Sequence, residues 1–251
     1  LFLSIAAQFN HEQLTPVQQW FADYLFVIDF SSLDTDLLVR DTIRIMQEEE
    51  SFYKLVNSAI ISADLGITAV DVRKMIPEDI SLSGQFSKEG REMIMRGLSE
   101  MDITLAFFTH RSRDCEGGIP FRQDEESAGT LKYFSLLGPW FYTMVYGYTT
   151  CIDEIAAQMH PSLVRMLIEM MHLPSENLGK SQIVLTTHDT TMLDTDLFRR
   201  DQIWFTEKND EGATVLYPLT DYKPRPDEAL QKGYLAGRYG AIPFLGEFPF
   251  K

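Results

Sequence analysis

Apolar positions recur at helical spacing through the first part of the chain and then change period. Leu14, Val17, Phe21, Leu25 and Ile28 follow one another at three- to four-residue steps, and Thr15-Pro16 offers an N-cap followed by proline, so a helix is predicted across them. A second helix is predicted from about Thr35, with Leu37, Val39, Ile43 and Met46 inward and Glu48 to Glu50 on a solvated face. A third covers Glu50 to Ser62 and stops at Asp64-Leu-Gly66. Nothing in this stretch brings a nucleophile and a base together, and residues 1–101 read as a helical insertion or lobe.

Beyond residue 101 the pattern becomes that of an α/β protein. Asp102 to His110 is a compact run of β-favouring residues, predicted as a buried strand, and the charged stretch Arg111 to Asp124 reads as a loop. A helix starts at Glu126-Ser127, with Leu131, Phe134, Phe141 and Val145 on its apolar side. Gly138-Pro139 should kink or interrupt it, and Gly147 ends it. The strand Tyr148–Ile152 follows, then a loop through His160-Pro161, the helix Ser162–His172, a polar connection at 174–177 and the strand Gln182–Thr187. Strands alternating with helices predict a mainly parallel sheet with helices packed on it. Farther on, Gln202–Glu207 and Thr214–Leu219 flank Asn209-Asp-Glu-Gly212 as an antiparallel hairpin. Lys223-Pro-Arg-Pro226 makes a stiff turn, and the glycine- and aromatic-rich Gly233–Pro243 closes the fold as a packed irregular segment. Residues 102–251 are thus read as the C-terminal lobe.

Length and charge narrow the partners. The 251 residues fit one large domain, or one domain with an insertion. A net charge of −15 argues against broad, salt-driven binding of nucleic acid, and Arg111, Arg113 and Arg122 read as a solvated loop cluster. The two cysteines, Cys115 in a polar loop and Cys151 in an apolar strand, make a disulfide framework unexpected and favour a reducing, cytoplasmic compartment. The longest apolar run, Leu136 to Tyr148, is broken by Gly138-Pro139 and Gly147, so no membrane span is expected. The chain opens on Leu1 inside an apolar helical pattern, as a fragment of a longer protein would.

Candidate chemistry gathers at three places. Thr149-Thr-Cys-Ile-Asp-Glu154 is a strand that ends in paired carboxylates. In an open α/β sheet ligands sit at the carboxyl ends of strands, where Asp153 could hold Mg²⁺ and Glu154 could poise a water against a phosphoryl group. Glu126-Ser-Ala-Gly-Thr130 puts a hydroxyl, backbone N–H groups and a helix dipole at one helix start, which suits phosphate oxygens. His188, followed by Asp189, ends the strand after Gln182 and could donate to a γ-phosphate. Each motif taken singly is more often an ordinary helix cap or a structural histidine. Asp153 lies 26 residues after Ser127, and His188 lies 34 after Glu154. One helix and one strand fill each interval, which would bring the motifs to one sheet edge.

Together these motifs resemble the C-terminal half of an ABC-type ATPase head of the SMC/OLD-like group, and more narrowly the abortive-phage-infection ATPases of the AbiL/RloA-like class. Ser127-Ala-Gly129 is similar to the signature motif and Thr149–Glu154 to the Walker B strand. Ile155–Pro161 is similar to the D-loop and Thr186-Thr-His-Asp189 to the switch-histidine motif. Leu185–Leu193, Phe198–Phe205 and Gly237–Pro243 resemble the narrower class, and Phe2–Asn10 resembles its helical insertion. No Gly-x-x-x-x-Gly-Lys-Ser/Thr loop occurs in these residues, and in that family it stands upstream. Thr149, Thr150 and Cys151 also stand where larger aliphatic residues are usual, which a buried strand tolerates if each hydroxyl bonds locally.

The resemblance implies an ATP hydrolase acting as sensor or clamp in bacterial antiphage defence, with ATP and Mg²⁺ as cofactors. Two heads would dimerise around ATP, with Ser127, Gly129 and Thr130 of one head meeting the nucleotide held by the other. Asp153 would organise Mg²⁺, Glu154 would be the general base and His188 would sense the γ-phosphate, while an effector such as a nuclease or toxin would respond. The alternative is an inactive scaffold that restrains such a partner. A weaker reading is a metal-dependent hydrolase using His188, Asp189 and Asp194.

Overall fold

The computed structural model describes residues 2–30, 35–76, 103–173, 179–225 and 228–243; the polar connection expected at 174–177, residues 77–102 and Pro226 lie outside them. The chain divides into two compact units, Leu1–Thr187 and His188–Lys251.

The first unit begins with helices α1 (Phe2–Gln8) and α2 (Leu14–Asp23). The helix expected to continue through Leu25 and Ile28 stops at Asp23, and Leu25–Asp29 is instead strand β1. Phe, Val and Ile in a row favour an extended backbone, and pairing with a neighbouring strand overrides a periodicity that these few residues share with a helix. Gln13, not Thr15, holds the N-cap position of α2. Helices α3 (Thr35–Glu48) and α4 (Glu50–Ser62) form where expected, although Leu38 rather than Leu37 is buried. Gly66, at φ +76°, then turns the chain into strand β2 (Ile67–Lys74).

Strand β3 (Thr104–His110) is buried as predicted, but it does not join the parallel sheet. It lies between β2 and β4 (Ile119–Arg122) in an antiparallel sheet, and β4 occupies part of the stretch expected to be loop. The parallel sheet has the order β1-β5-β6, with β5 (Thr149–Asp153) central and β6 (Gln182–Leu185) beside it. The place expected for β3 is thus taken by β1.

Helix α5 (Ala128–Tyr146) runs through the middle of this unit, exposed at its two ends and buried on all sides over Lys132–Gly138. Phe134 meets Phe108 of β3 edge to face at 5.1 Å, and the Tyr133 hydroxyl donates to Ala59 O of α4 at 3.4 Å. At its far end the Thr143 and Thr150 hydroxyls share a buried hydrogen bond of 2.7 Å, which answers how a threonine fits the central strand. The helix is one continuous element across Gly138-Pro139. Pro139 cannot donate to the carbonyl four residues before it, which is that of Ser135. The Thr42 hydroxyl of α3 donates to Ser135 O instead, at 2.9 Å. Gly138 lets α3 come that close, since a Cβ there would stand 2.7 Å from Thr42 Cα. Gly147 ends the helix in the left-handed region at φ +76°. Helix α6 (Pro161–Met171) then starts with proline at its first position, behind a His160 ring nitrogen that accepts from Ser162 N.

The second unit is built on the predicted hairpin, β7 (Trp204–Lys208) and β8 (Thr214–Pro218), paired antiparallel. Asn209 Oδ1 accepts from Glu211 N and Ala213 N and so shapes the turn. Ile203, Phe205, Leu219, Leu230 and Tyr239 form its core, with Leu230 on the short helix α7 (Leu230–Leu235). Tyr239 donates to Glu228, and burial together with that carboxylate pushes its pKa up to about 12. Tyr217 donates to Tyr239 O at 2.9 Å and Tyr234 to Ala241 O at 2.7 Å, so the closing segment is packed by its aromatic residues, as expected.

Two substitutions test the crossing of α3 and α5. Thr42→Val removes the hydroxyl that donates to Ser135 O at equal volume, and leaving that buried acceptor without it should cost about 1–3 kcal/mol in urea unfolding. A loss below about 0.5 kcal/mol, the scatter of neutral substitutions, would show that Ser135 O is satisfied without it. Gly138→Ala should cost a similar amount, about 1–3 kcal/mol, by forcing the helices apart.

Candidate functional site

The parallel register of β5 fixes where its carboxylates stand. Asp29 of β1 lies level with Asp153 of β5, and Leu185 of β6 lies level with Ile152. Asp153 and Glu154 are therefore presented, exposed, at the carboxyl edge of the sheet. Thr186, the first residue after β6, ties the two together. Its hydroxyl donates to Asp153 Oδ1 and accepts from Glu154 N at 2.9 Å. Ile155 N in turn donates to Thr186 O at 3.2 Å.

Glu154 adopts φ +52° and Gln158 adopts φ +65°, both left-handed. A side chain other than glycine in that region costs on the order of 1–3 kcal/mol and persists where the surroundings impose it. Ile155 and Met159 anchor the turn by burial, and Ala157 N donates to Glu154 O at 3.1 Å. From α5, Lys132 Nζ donates to Glu154 O at 3.1 Å and to Ala157 O at 2.7 Å. Its ammonium also lies 3.8 Å from the ring centre of Phe30, the residue after β1. Burial lowers the Lys132 pKa to about 8, against the pull of the Glu154 charge.

The start of α5 packs on the same turn. Ser127 is the N-cap: its Oγ accepts from Thr130 N at 3.1 Å and shares a 2.8 Å hydrogen bond with the Thr130 hydroxyl. Thr130 is buried while Ser127 is exposed. Gly129 sits against Gln158, whose carbonyl oxygen would be 2.8 Å from a Cβ at position 129. One residue upstream, Glu126 Oε1 meets His110 Nε2 at 2.5 Å, which fixes the approach to the helix on β3.

Of the residues named from sequence, the structure brings Asp153, Glu154, Ser127, Gly129 and Thr130 around one turn. His188 is exposed and opens the second unit. Asp189 caps the 3-10 turn Thr190–Met192 by accepting from Thr191 N at 2.9 Å, and Asp194 accepts from Asp196 N at 2.9 Å. Among the described residues no group of three or more His, Cys, Asp or Glu could hold a metal by itself, so the hydrolase reading on His188, Asp189 and Asp194 has no ligand set behind it. Magnesium in a phosphate site asks for less, namely one or two carboxylates with waters and the phosphates themselves. An exposed Asp153 with Asp29 level beside it fits that donor set.

Three residues that matter here were not singled out from sequence. Asp29 ends Leu-Phe-Val-Ile-Asp in the way that Asp153 ends its own strand, a parallel hidden by the helical spacing of Leu25 and Ile28. Thr186 stands at the predicted strand end, yet a threonine there says nothing of its bonding. Lys132 lies beside Leu131 and Tyr133 in a helix whose interior only the fold shows, and there it is buried. The hollow lined by Thr68, Arg111, Arg113 and Cys115 belongs to the β3–β4 connection rather than to this edge. Arg122, read from sequence as part of a solvated loop, is the last residue of β4 and is ion-paired with Asp124 at 2.6 Å. Among the described residues no helix is long and apolar enough to cross a membrane.

None of the curated proteins matches the chain. Among solved structures, a chain from work on the structural biochemistry of ATP-driven dimerization and DNA-stimulated activation of SMC ATPases is similar at 13% identity and a TM-score of 0.44. The alignment covers 82% of this chain and 96% of that one. The model of the family described as "AAA domain, putative AbiEii toxin, Type IV TA system" matches residues 11–194, a span that holds β1, the start of α5, Asp153-Glu154 and His188. The chain belongs to that family of AAA-type ATPase domains.

Proposed function

We propose that this chain is the catalytic-edge portion of an ATP-hydrolysing head in a bacterial antiphage defence system, closing as a dimer around ATP and thereby controlling an effector such as a nuclease or toxin. The observation that carries this reading is the Thr186 hydroxyl, which holds Asp153 and Glu154 side by side at the exposed carboxyl edge of a parallel sheet. Family membership supports the nucleotide, and the name of the family supports a toxin–antitoxin setting.

In this reading each residue has one task. Asp153, with Asp29 level beside it, would hold Mg²⁺ at the edge, and that ion when bound neutralises phosphate charge. Glu154 would accept the proton of the attacking water at its carboxylate. The exposed Ser127 and the N–H groups at the start of the 19-residue helix α5 would meet phosphate oxygens of nucleotide carried by a second copy, and the dipole of α5 favours that charge. Gly129 would serve there through its backbone, and Thr130 by orienting Ser127. His188 would contact the terminal phosphate.

The reading is tested in the full-length protein with Glu154→Gln. ATP binding, followed by fluorescent-nucleotide titration, should stay close to wild type. Turnover should fall on the order of 10²–10⁴-fold, the usual worth of a positioned general base. Unchanged ATPase activity in that variant would remove Glu154 from the chemistry.

A further inference from the structure

We infer that Lys132 is a positioning residue for Glu154: its buried ammonium straps the 154–159 turn to the first turns of α5 and so sets where the Glu154 carboxylate stands. The inference rests on the reading of Glu154 as the base that activates water.

The side chain is 3% exposed, and a lysine is seldom buried unless its charge is matched. An ammonium has three N–H donors. Two go to Glu154 O at 3.1 Å and Ala157 O at 2.7 Å, and the positive face that remains lies 3.8 Å from the centre of the Phe30 ring. The two carbonyls lie three residues apart in the turn, so a single cation ties its start to its middle.

The turn needs such support. Its first residue, Glu154, and Gln158 near its end both hold left-handed conformations that a free chain would leave. Thr186 secures Glu154 from the amide side. Lys132 secures it from the carbonyl side, and Gly129 lets α5 close on Gln158 O. Held at both its N–H and its C=O, the Glu154 backbone cannot rotate, and its side chain leaves from a fixed point. Mere packing would be better served by leucine or methionine, because a buried cation carries a desolvation cost that an apolar residue of similar volume avoids. The residues on either side, Leu131 and Tyr133, are apolar or aromatic, so the charge at 132 has a local purpose.

The experiment compares the full-length wild type with Lys132→Met and Lys132→Arg, reading hydrogen exchange by mass spectrometry and steady-state ATPase kinetics. In Lys132→Met, exchange at Ile155, Ala157 and Met159 should accelerate by about tenfold or more, while β5 and β6 keep their protection. The kcat should fall about tenfold or more, since a displacement near 1 Å can cost 100-fold, with KM for ATP within about threefold. Lys132→Arg, which keeps the charge and donors, should recover part of both losses. Normal kcat with unchanged exchange in the turn overturns the inference. So does exchange that rises uniformly over the whole first unit, which is the mark of a residue that only packs. Should Lys132→Met fail to fold, Lys132→Gln, which is too short to reach both carbonyls and carries no charge, decides: faster exchange confined to the turn supports the strap, and unchanged exchange overturns it. A wild type without turnover, joined to selective exchange in Lys132→Met, would sink the catalytic reading of Glu154 while upholding the strap.

Discussion

A stretch of helix buried on every side can leave no carbonyl unpaired, and in α5 a proline leaves one. The hydroxyl of Thr42 supplies the missing donor to Ser135 O, across a crossing that Gly138 makes close enough. Much of the first unit follows from this. With its interior secured, α5 can run unbroken from Ala128 to Tyr146, carrying Phe134 onto β3, Tyr133 toward α4 and Thr143 onto the central strand. Its first turn then arrives at a defined place beside the carboxyl edge of the sheet.

At that edge position is set by register and by polar ties. A slip of one residue in β5 would turn Asp153 to the other face and destroy the pairing with Asp29. Past the strand end the ladder no longer helps, and the chain enters left-handed conformations at Glu154 and Gln158. Thr186 and Lys132 take over from opposite sides, one at the amide and one at the carbonyl. The start of α5 and the carboxylate turn thus form one assembly.

Much of this was legible in order along the chain. Ser127 as an N-cap, Gly147 as a helix stop and the Asn209–Gly212 turn all act through local backbone chemistry, which neighbours in sequence dictate. The paired carboxylates at the end of an apolar strand could be placed at a sheet edge for the same reason. The exceptions share a cause. Leu25–Asp29 fits a helical period as well as a strand, and only the partner β5 decides between them. Strand β3 looked like a member of the parallel sheet, but its neighbours β2 and β4 fix it in the antiparallel one. Pro139 looked able to interrupt the helix because the compensating donor is Thr42, 93 positions away in sequence from Ser135.

The sequence by itself determined the types of most elements, many of their caps and stops, and the order of a serine-glycine helix start, paired carboxylates and a histidine along the chain. Those properties rest on interactions within a few residues, so they survive without knowledge of the fold. Tertiary structure alone decided that Asp29 stands level with Asp153, that one threonine hydroxyl joins Asp153 to Glu154, and that Lys132 is interior rather than solvated. Each depends on which distant segments meet, and burial turns an ordinary lysine into a strap only once helices and sheets have closed around it.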